Sequence, residues 1–273
     1  MGDIYHTDPE IETIEDLSGK RTFASLPWWL YALILVIVYT AWSVYTRENL
    51  REAFDFIIQG IGTTISAAIL SYLIAIVLGL IAGLGRMSKN IIFNNIATFY
   101  VEFIRGIPML VLIFFIGLVG VPTAISWLNE LGFTLITNKD ISTYSRAIAA
   151  LSITYGAFLA EIFRAGIQSI GKGQMEAARS QGMSFGQTMR YVILPQAIRN
   201  VLPALGNDFV AMVKDSSLVS LLAVGDITYE AKLYSGSSFR FKEAYTILTI
   251  LYLMMTVALS SLLRVFERRL RND

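Results

Sequence analysis

Four stretches of this chain are long enough to cross a bilayer without one charged side chain: 22–46, 56–85, 106–129 and 244–263. A helix needs about 20 consecutive apolar residues to traverse the hydrocarbon core, so each reads as a transmembrane helix. Trp28, Trp29 and Trp42 stand near the ends of the first, as an interfacial aromatic belt would place them. Two further segments are long enough but less clean. Residues 143–169 are apolar except for Arg146, Glu161 and Arg164, and 191–213 are interrupted by Pro195, Arg199, Pro203 and Asp208. The third stretch is expected to start near Ile91 and to carry Glu102 and Arg105 inside it. The predicted fold is an all-α membrane protein with six transmembrane helices. It divides into an acidic tail (1–26), an N-terminal helix with its outer loop (27–55) and a five-helix core (56–273).

Composition agrees with immersion in lipid and removes most competing functions. Charged residues make up 16% of the 273, where a soluble domain carries about 25%, and 55% are hydrophobic. A net charge of +1 offers no basic excess for nucleic acid. There is no cysteine, and the single histidine, His6, lies in the polar tail, which excludes thiolate metal sites, multi-histidine zinc sites and histidine-based triads. An intramembrane enzyme therefore finds no nucleophile–base pair or metal cluster. Residues 1–21 lack the basic start and cleavage pattern of a signal peptide, so the first helix is expected to be retained.

Lysine and arginine set the orientation. With the N-terminus inside, the cytoplasmic ends carry Lys20, Arg21, Arg86, Lys89, Lys172, Arg179, Arg190, Arg264, Arg268, Arg269 and Arg271. The other side carries Arg47, Arg51, Lys139, Arg146, Lys214, Lys232, Arg240 and Lys242, a bias that predicts both termini in the cytoplasm. Thr63, Ala67, Ser71, Ala75, Gly79 and Gly83 recur every fourth residue, a small-residue ridge suited to close helix packing within the chain or between chains.

The loop between the fourth and fifth helices, 171–195, has more punctuation than a linker needs. A short helix is predicted over 174–181, with Glu176 in its first turn facing the dipole and Gly182 in the left-handed position that ends it. Ser184 and Gln187 then have the spacing of a capping box that opens another helix. The sequence Glu176-Ala177-Ala178, three residues, Gly182, nine residues and Val192-Ile193-Leu194-Pro195 resembles the EAA loop of ABC importer permeases, with Val192 where that family has isoleucine. Residues 156–174 and Glu102-Phe-Ile-Arg105-Gly106-Ile-Pro108 look like the polar amino acid branch, which serves histidine, glutamine, glutamate and arginine. The resemblance covers residues from about Gly60 onward.

That resemblance implies a type I permease without catalysis of its own. Its EAA helix would seat in a separate cytoplasmic ATPase dimer, with Gly173, Glu176, Ala177, Ala178, Gly182, Leu194 and Pro195 as the coupling residues. A second permease copy, identical or related, and an extracytoplasmic amino acid-binding protein would complete the assembly in a bacterial inner membrane. No cofactor is expected in this chain. It contains no G-x-x-x-x-G-K-[ST] phosphate loop, so ATP–Mg would belong to the partner.

Charges inside a membrane mark candidate sites. Glu102 and Arg105, like Glu161 and Arg164, are spaced i, i+3 and can pair along one helix face. They are expected either to lock the bundle or to meet the ammonium and carboxylate of a polar amino acid, with a kink at Pro108 beside the first pair. The competing function is an ion-coupled secondary transporter or channel using Glu102 and Glu161. A second charged group, Asn207, Asp208, Lys214 and Asp215, is expected where the fifth helix reaches the outer side. After it, 218–227 is too short to cross and would carry Asp226 and Glu230 to the outer mouth.

Overall fold

The computed structural model describes residues 28–132 and 137–272, so the acidic tail, including His6, Lys20 and Arg21, lies outside the described residues. The described residues form helices joined by short turns. The chain divides into two compact units at Ser43/Val44. The first contains most of α1 (Trp28–Thr46), an apolar helix without a charged residue. The Thr40 hydroxyl donates to the Val36 carbonyl one turn back, which removes its polarity from the surroundings.

The second unit holds everything that follows. It begins with α2 (Glu48–Ile57), a short amphipathic helix that leads through a 3-10 turn (Ile58–Gly60) into α3 (Ile61–Arg86). Next come α4 (Ile91–Arg105), α5 (Met109–Phe115), a π turn (Ile116–Gly120) and α6 (Val121–Glu130). The 26-residue α7 (Thr143–Gln168) follows, then α8 (Lys172–Ser180) and α9 (Phe185–Thr188). A second π turn (Met189–Ile193) leads into α10 (Leu194–Asp215), and a 3-10 segment (Ser216–Leu222), α11 (Ile227–Ser238) and α12 (Phe241–Asn272) close the chain. Four described helical runs are long and apolar enough to cross a membrane: Glu48–Arg86, Met109–Glu130, Thr143–Gln168 and Phe241–Glu267.

Two expectations need correction. The third helix does not run unbroken from Ile91. The chain leaves α4 at Gly106, and Pro108 is extended (φ −57°, ψ 136°), so Glu102 and Arg105 lie on a separate 15-residue helix. Proline lacks a backbone donor and disfavours helical geometry in the residue before it, which turns the expected kink into a break. The short loop helix starts at Lys172 rather than 174, so Glu176 falls in its second turn and has no role at the helix start. The segment after α10 is continuous with it. It extends α10 as a 3-10 helix whose Val219 and Leu222 pack in the core with Leu112, Ile113 and Ile116.

The small-residue ridge is spent inside the chain. Ala67, Ser71, Ala75, Gly79 and Gly83 are all buried in α3, which lies along α7. A Cβ on Gly79 would stand 2.6 Å from the Leu159 Cβ, and one on Gly83 would stand 2.8 Å from the Ala160 carbonyl oxygen. The Ser152 hydroxyl donates to the Ser71 carbonyl at 3.2 Å, an interhelical bond that works because both backbones approach so closely.

On the opposite end, α11 is pinned to the start of α3. Asp226 is fully buried, caps α11 by accepting from the Tyr229 N–H at 2.9 Å, and lies so close to Gly60 that an added Cβ there would be 2.5 Å from its backbone carbon. The Thr64 hydroxyl accepts from the Ile227 N–H at 3.1 Å. Burial pushes the Asp226 carboxyl up from 3.8 to about 6, outside the spanning helices. The folded value exceeds the unfolded one, so this group's stabilisation is complete below 3.8 and is lost as pH rises through about 6. Asp226→Asn is expected to flatten that part of the stability curve. Thermal unfolding of the detergent-solubilised chain between those two pH values measures it.

Candidate functional site: a capped loop and the charge cluster beside it

Gly182 is the hinge of the loop between α7 and α10. Its φ is +84°, and nothing lies within 4 Å of where a Cβ would stand, so conformation rather than space requires glycine. The Gly182 N–H donates to the Arg179 carbonyl at 3.0 Å and the Met183 N–H to the Ala178 carbonyl at 3.3 Å. These two bonds make a Schellman stop at the end of α8. The capping box follows as expected. The Ser184 Oγ accepts from the Gln187 N–H at 3.3 Å, and the Gln187 Oε1 accepts from the Ser184 N–H at 2.8 Å.

Those stops fix which side of the loop looks outward. Ala178 is the buried residue of α8, whereas Gly173, Glu176, Ala177 and Arg179 are exposed. Gly182, Leu194 and Pro195 are exposed as well, and Phe185 and Tyr191 each present 63% of their surface. The Gln196 amide donates to the Val192 carbonyl at 2.8 Å and reaches the Gln174 side chain at 3.5 Å, which fastens α10 to α8. The loop is a capped, small-residue knuckle with large apolar side chains exposed around it.

One turn and a half before the end of α7 stands a charge cluster that differs from the expected pairs. Glu161 does pair with Arg164, whose Nε donates at 3.1 Å and whose Nη2 takes the other oxygen. Glu102 does not pair with Arg105. Its partner is Arg86, the last residue of α3, at 2.9 Å, and the second Arg86 terminal nitrogen reaches Glu161 at 3.0 Å. The Arg86 side chain is only 16% exposed. Arg105 instead stands over the Phe158 ring of α7 at 5.9 Å. Sequence reasoning used Arg86 only as a topological marker. Its distance of 16 residues from Glu102 and 75 from Glu161 carries no periodic signal.

A second polar patch lies beside the break at Pro108. Asp208 and Asp215 both belong to α10, Asp215 being its last residue. The Tyr155 hydroxyl of α7 donates to Asp215 at 2.6 Å, and the Tyr72 hydroxyl of α3 donates to the Leu205 carbonyl at 2.5 Å. Asp208 Oδ2 is buried without a hydrogen-bond partner. Tyr72, Tyr155 and Met212 pack in one cluster with Met109, the first residue after the break, and Phe209. Tyrosine marks this patch, and sequence inspection singled out neither Tyr72 nor Tyr155.

A multi-pass helical bundle with broken helices, an internal polar patch and a rigid capped loop is the architecture of a transport permease. The family model for the binding-protein-dependent transport system inner membrane component matches residues 75–272, and the chain belongs to that family, the permeases of ABC importers. The chain is 38% identical over 224 residues to the probable glutamine ABC transporter permease protein GlnM of Bacillus subtilis, covering 82% of this chain and 97% of that one. It is 34% identical over 219 residues to the glutamine transport system permease protein GlnP of Escherichia coli, covering 80% and 94%. A crystal structure of an amino acid ABC transporter with histidines superposes with a TM-score of 0.68 at 39% identity, over 79% of this chain and 94% of that one. The inward-facing MetNI methionine ABC transporter shares the fold, with a TM-score of 0.60 at 20% identity over 79% and 96%. This chain is thus an ABC importer permease for amino acids, a multi-pass membrane protein.

Proposed function

We propose that the chain moves a polar amino acid inward and draws its energy from a separate ATPase dimer seated on residues 171–195. The observation that carries this reading is the Schellman stop at Gly182. Gly173, Glu176 and Ala177 stand on the exposed knuckle that this stop closes, three residues beyond α7. ATP–Mg belongs to the partner. Six crossings give the required sidedness: α1, α3, the broken run α4–α6, α7, α10 with its 3-10 extension, and α12. α3 and α7 run in the same direction, as two crossings with one between them would, because Gln59 and Thr143 line one recess while Arg86 and Glu161 meet near the other end. Both termini then face the cytoplasm. A second permease copy supplies the other coupling knuckle, and an extracytoplasmic binding protein delivers substrate.

The substrate contacts are placed around the break at Pro108. Arg105 has no carboxylate at ion-pair distance among the described residues and is the group of the four best able to meet a substrate carboxylate. Glu102 and Glu161 are held by Arg86, and Glu161 also by Arg164, so these groups are engaged in ion pairs while, among the described residues, Arg105 is not. The Tyr72, Tyr155, Asp208 and Asp215 patch offers hydroxyls and carboxylates to a polar side chain or ammonium group. Relatives named for glutamine and for arginine transport support a polar amino acid as cargo.

Reconstitution with the ATPase and the binding protein tests the reading. ATP-dependent uptake from a panel of labelled amino acids is the expected result, and uptake driven by an ion gradient without ATP would return the ion-coupled alternative. Within the site, Tyr155→Phe removes one charge-assisted hydrogen bond, worth about 1.5–3 kcal/mol. Transport is expected to fall roughly tenfold or more while ATPase capture is unchanged, as measured by uptake and co-purification.

A further inference from the structure

We propose that Arg86 is a positioning residue that transmits movement of the cytoplasmic loop to the break in the α4–α5 helix. The inference rests on the importer reading above but assigns a role to a residue outside both the loop and the substrate patch. Three helices end or pass at this side chain. Arg86 is the last residue of α3, Glu102 stands one turn before the end of α4, and Glu161 stands two turns before the end of α7. One guanidinium reaches both carboxylates, at 2.9 and 3.0 Å. A planar fork can hold two acceptors in fixed relative positions, which a point charge cannot.

Either end of this clamp leads somewhere. Beyond Gln168, α7 passes through Ser169–Gly171 into α8, so displacement of the loop acts on the end of α7. Beyond Glu102 and Arg105, α4 stops at Gly106–Pro108, and Met109 then enters the cluster of Tyr72, Tyr155 and Met212. Arg105 over Phe158 is a second tie between α4 and α7, one turn from the first. The two ties bracket the last turn of α4, directly below the break. A link between the driven helix and the broken one is what a coupled conformational step needs, and the mostly buried Arg86 supplies it although the Glu102 carboxylate is itself exposed. Among the described residues the Arg86–Glu102 pair is the one ion pair that joins α4 to another helix.

The test separates coupling from assembly. The assembled importer, reconstituted in proteoliposomes with its ATPase and binding protein, is assayed for amino acid moved per ATP hydrolysed. Arg86→Gln is expected to leave ATPase capture and basal hydrolysis at the parent level while that ratio falls about tenfold, within the usual range of allosteric coupling. Arg86→Lys keeps the charge but not the fork and is expected to fall in between. Arg86→Gln leaves Glu102 without its partner, so Arg86→Gln/Glu102→Gln serves as the control for folding. The double variant is expected to assemble fully and still to waste ATP. A parental ratio in assembled Arg86→Gln, or its full restoration in the double variant, would overturn the proposal by showing a merely structural pair. Failure of the parent chain to capture any ATPase would instead sink the importer coupling reading and leave no ratio to compare.

Discussion

Gly182→Val should abolish stable capture of the ATPase while leaving the membrane bundle folded. Gly182 sits at φ +84°, where an L residue loses about 1–2 kcal/mol and a β-branched one is worst placed. The substitution also endangers the bonds from the Gly182 and Met183 N–H groups to the Arg179 and Ala178 carbonyls. With that stop gone, α8 has no defined end and the capping box at Ser184 starts from a different direction. Alanine at 182 is expected to give a partial loss. Gly173→Ala, in open space on the same helix and without a positive φ, is the control for added bulk. Co-purification of the ATPase with each variant, beside thermal unfolding of the chain alone, checks the result. Normal capture with valine at 182 would mean that the loop's shape does not matter.

The second large effect is expected at Glu161. Its two oxygens are held by Arg86 and Arg164, whose side chains are 16% and 30% exposed. Removing one member of a buried ion pair costs about 3–5 kcal/mol, and partial exposure here reduces that to roughly 2–3 kcal/mol. Glu161→Ala leaves two guanidinium groups without their carboxylate on α7 and should lower yield and unfolding temperature together. Glu161→Gln keeps one acceptor oxygen for a hydrogen bond and is expected to cost about half as much. A chain whose unfolding temperature is unaffected by Glu161→Ala would show that the cluster is hydrated and slack, and the Arg86 clamp would lose its anchor with it.

What was readable in the sequence follows from the range over which each signal acts. The stop at Gly182 and the capping box at Ser184 are local, formed by residues three to five apart, and the structure places both where expected. The ridge from Ala67 to Gly83 is periodic, and its burial against α7 follows from period and residue size. The Glu161–Arg164 pair shares one helix face and was equally legible. The Glu102–Arg105 pair had the same spacing and did not form, because Arg86 on another helix offered both carboxylates a shared partner. No spacing rule reports a competitor that arrives through tertiary packing. The same holds for Tyr155 and Asp215, 60 residues apart, where α10 had to fold beside α7 before either had a partner. Glu176 was misplaced for a smaller reason: α8 begins at Lys172, two residues earlier than expected, with Gly173 inside its first turn.

The two π turns have a consequence for chain length. Each closes i→i+5 hydrogen bonds and so holds one residue more than an α turn. One, Ile116–Gly120, lies between α5 and α6, and the other, Met189–Ile193, joins the capping-box helix to α10. A single π turn is one extra residue taken up inside an α-helix, with the turns on either side kept in register. Deleting one residue within 189–193 would therefore let the helix close as regular α and leave its two flanks facing as they do, whereas the same deletion in the middle of α10 would rotate one flank against the other by about 100°. The spacing from Gly182 to Val192 can thus lose one residue at the π turn, and a variant shortened there is expected still to present the same face of the loop to the ATPase.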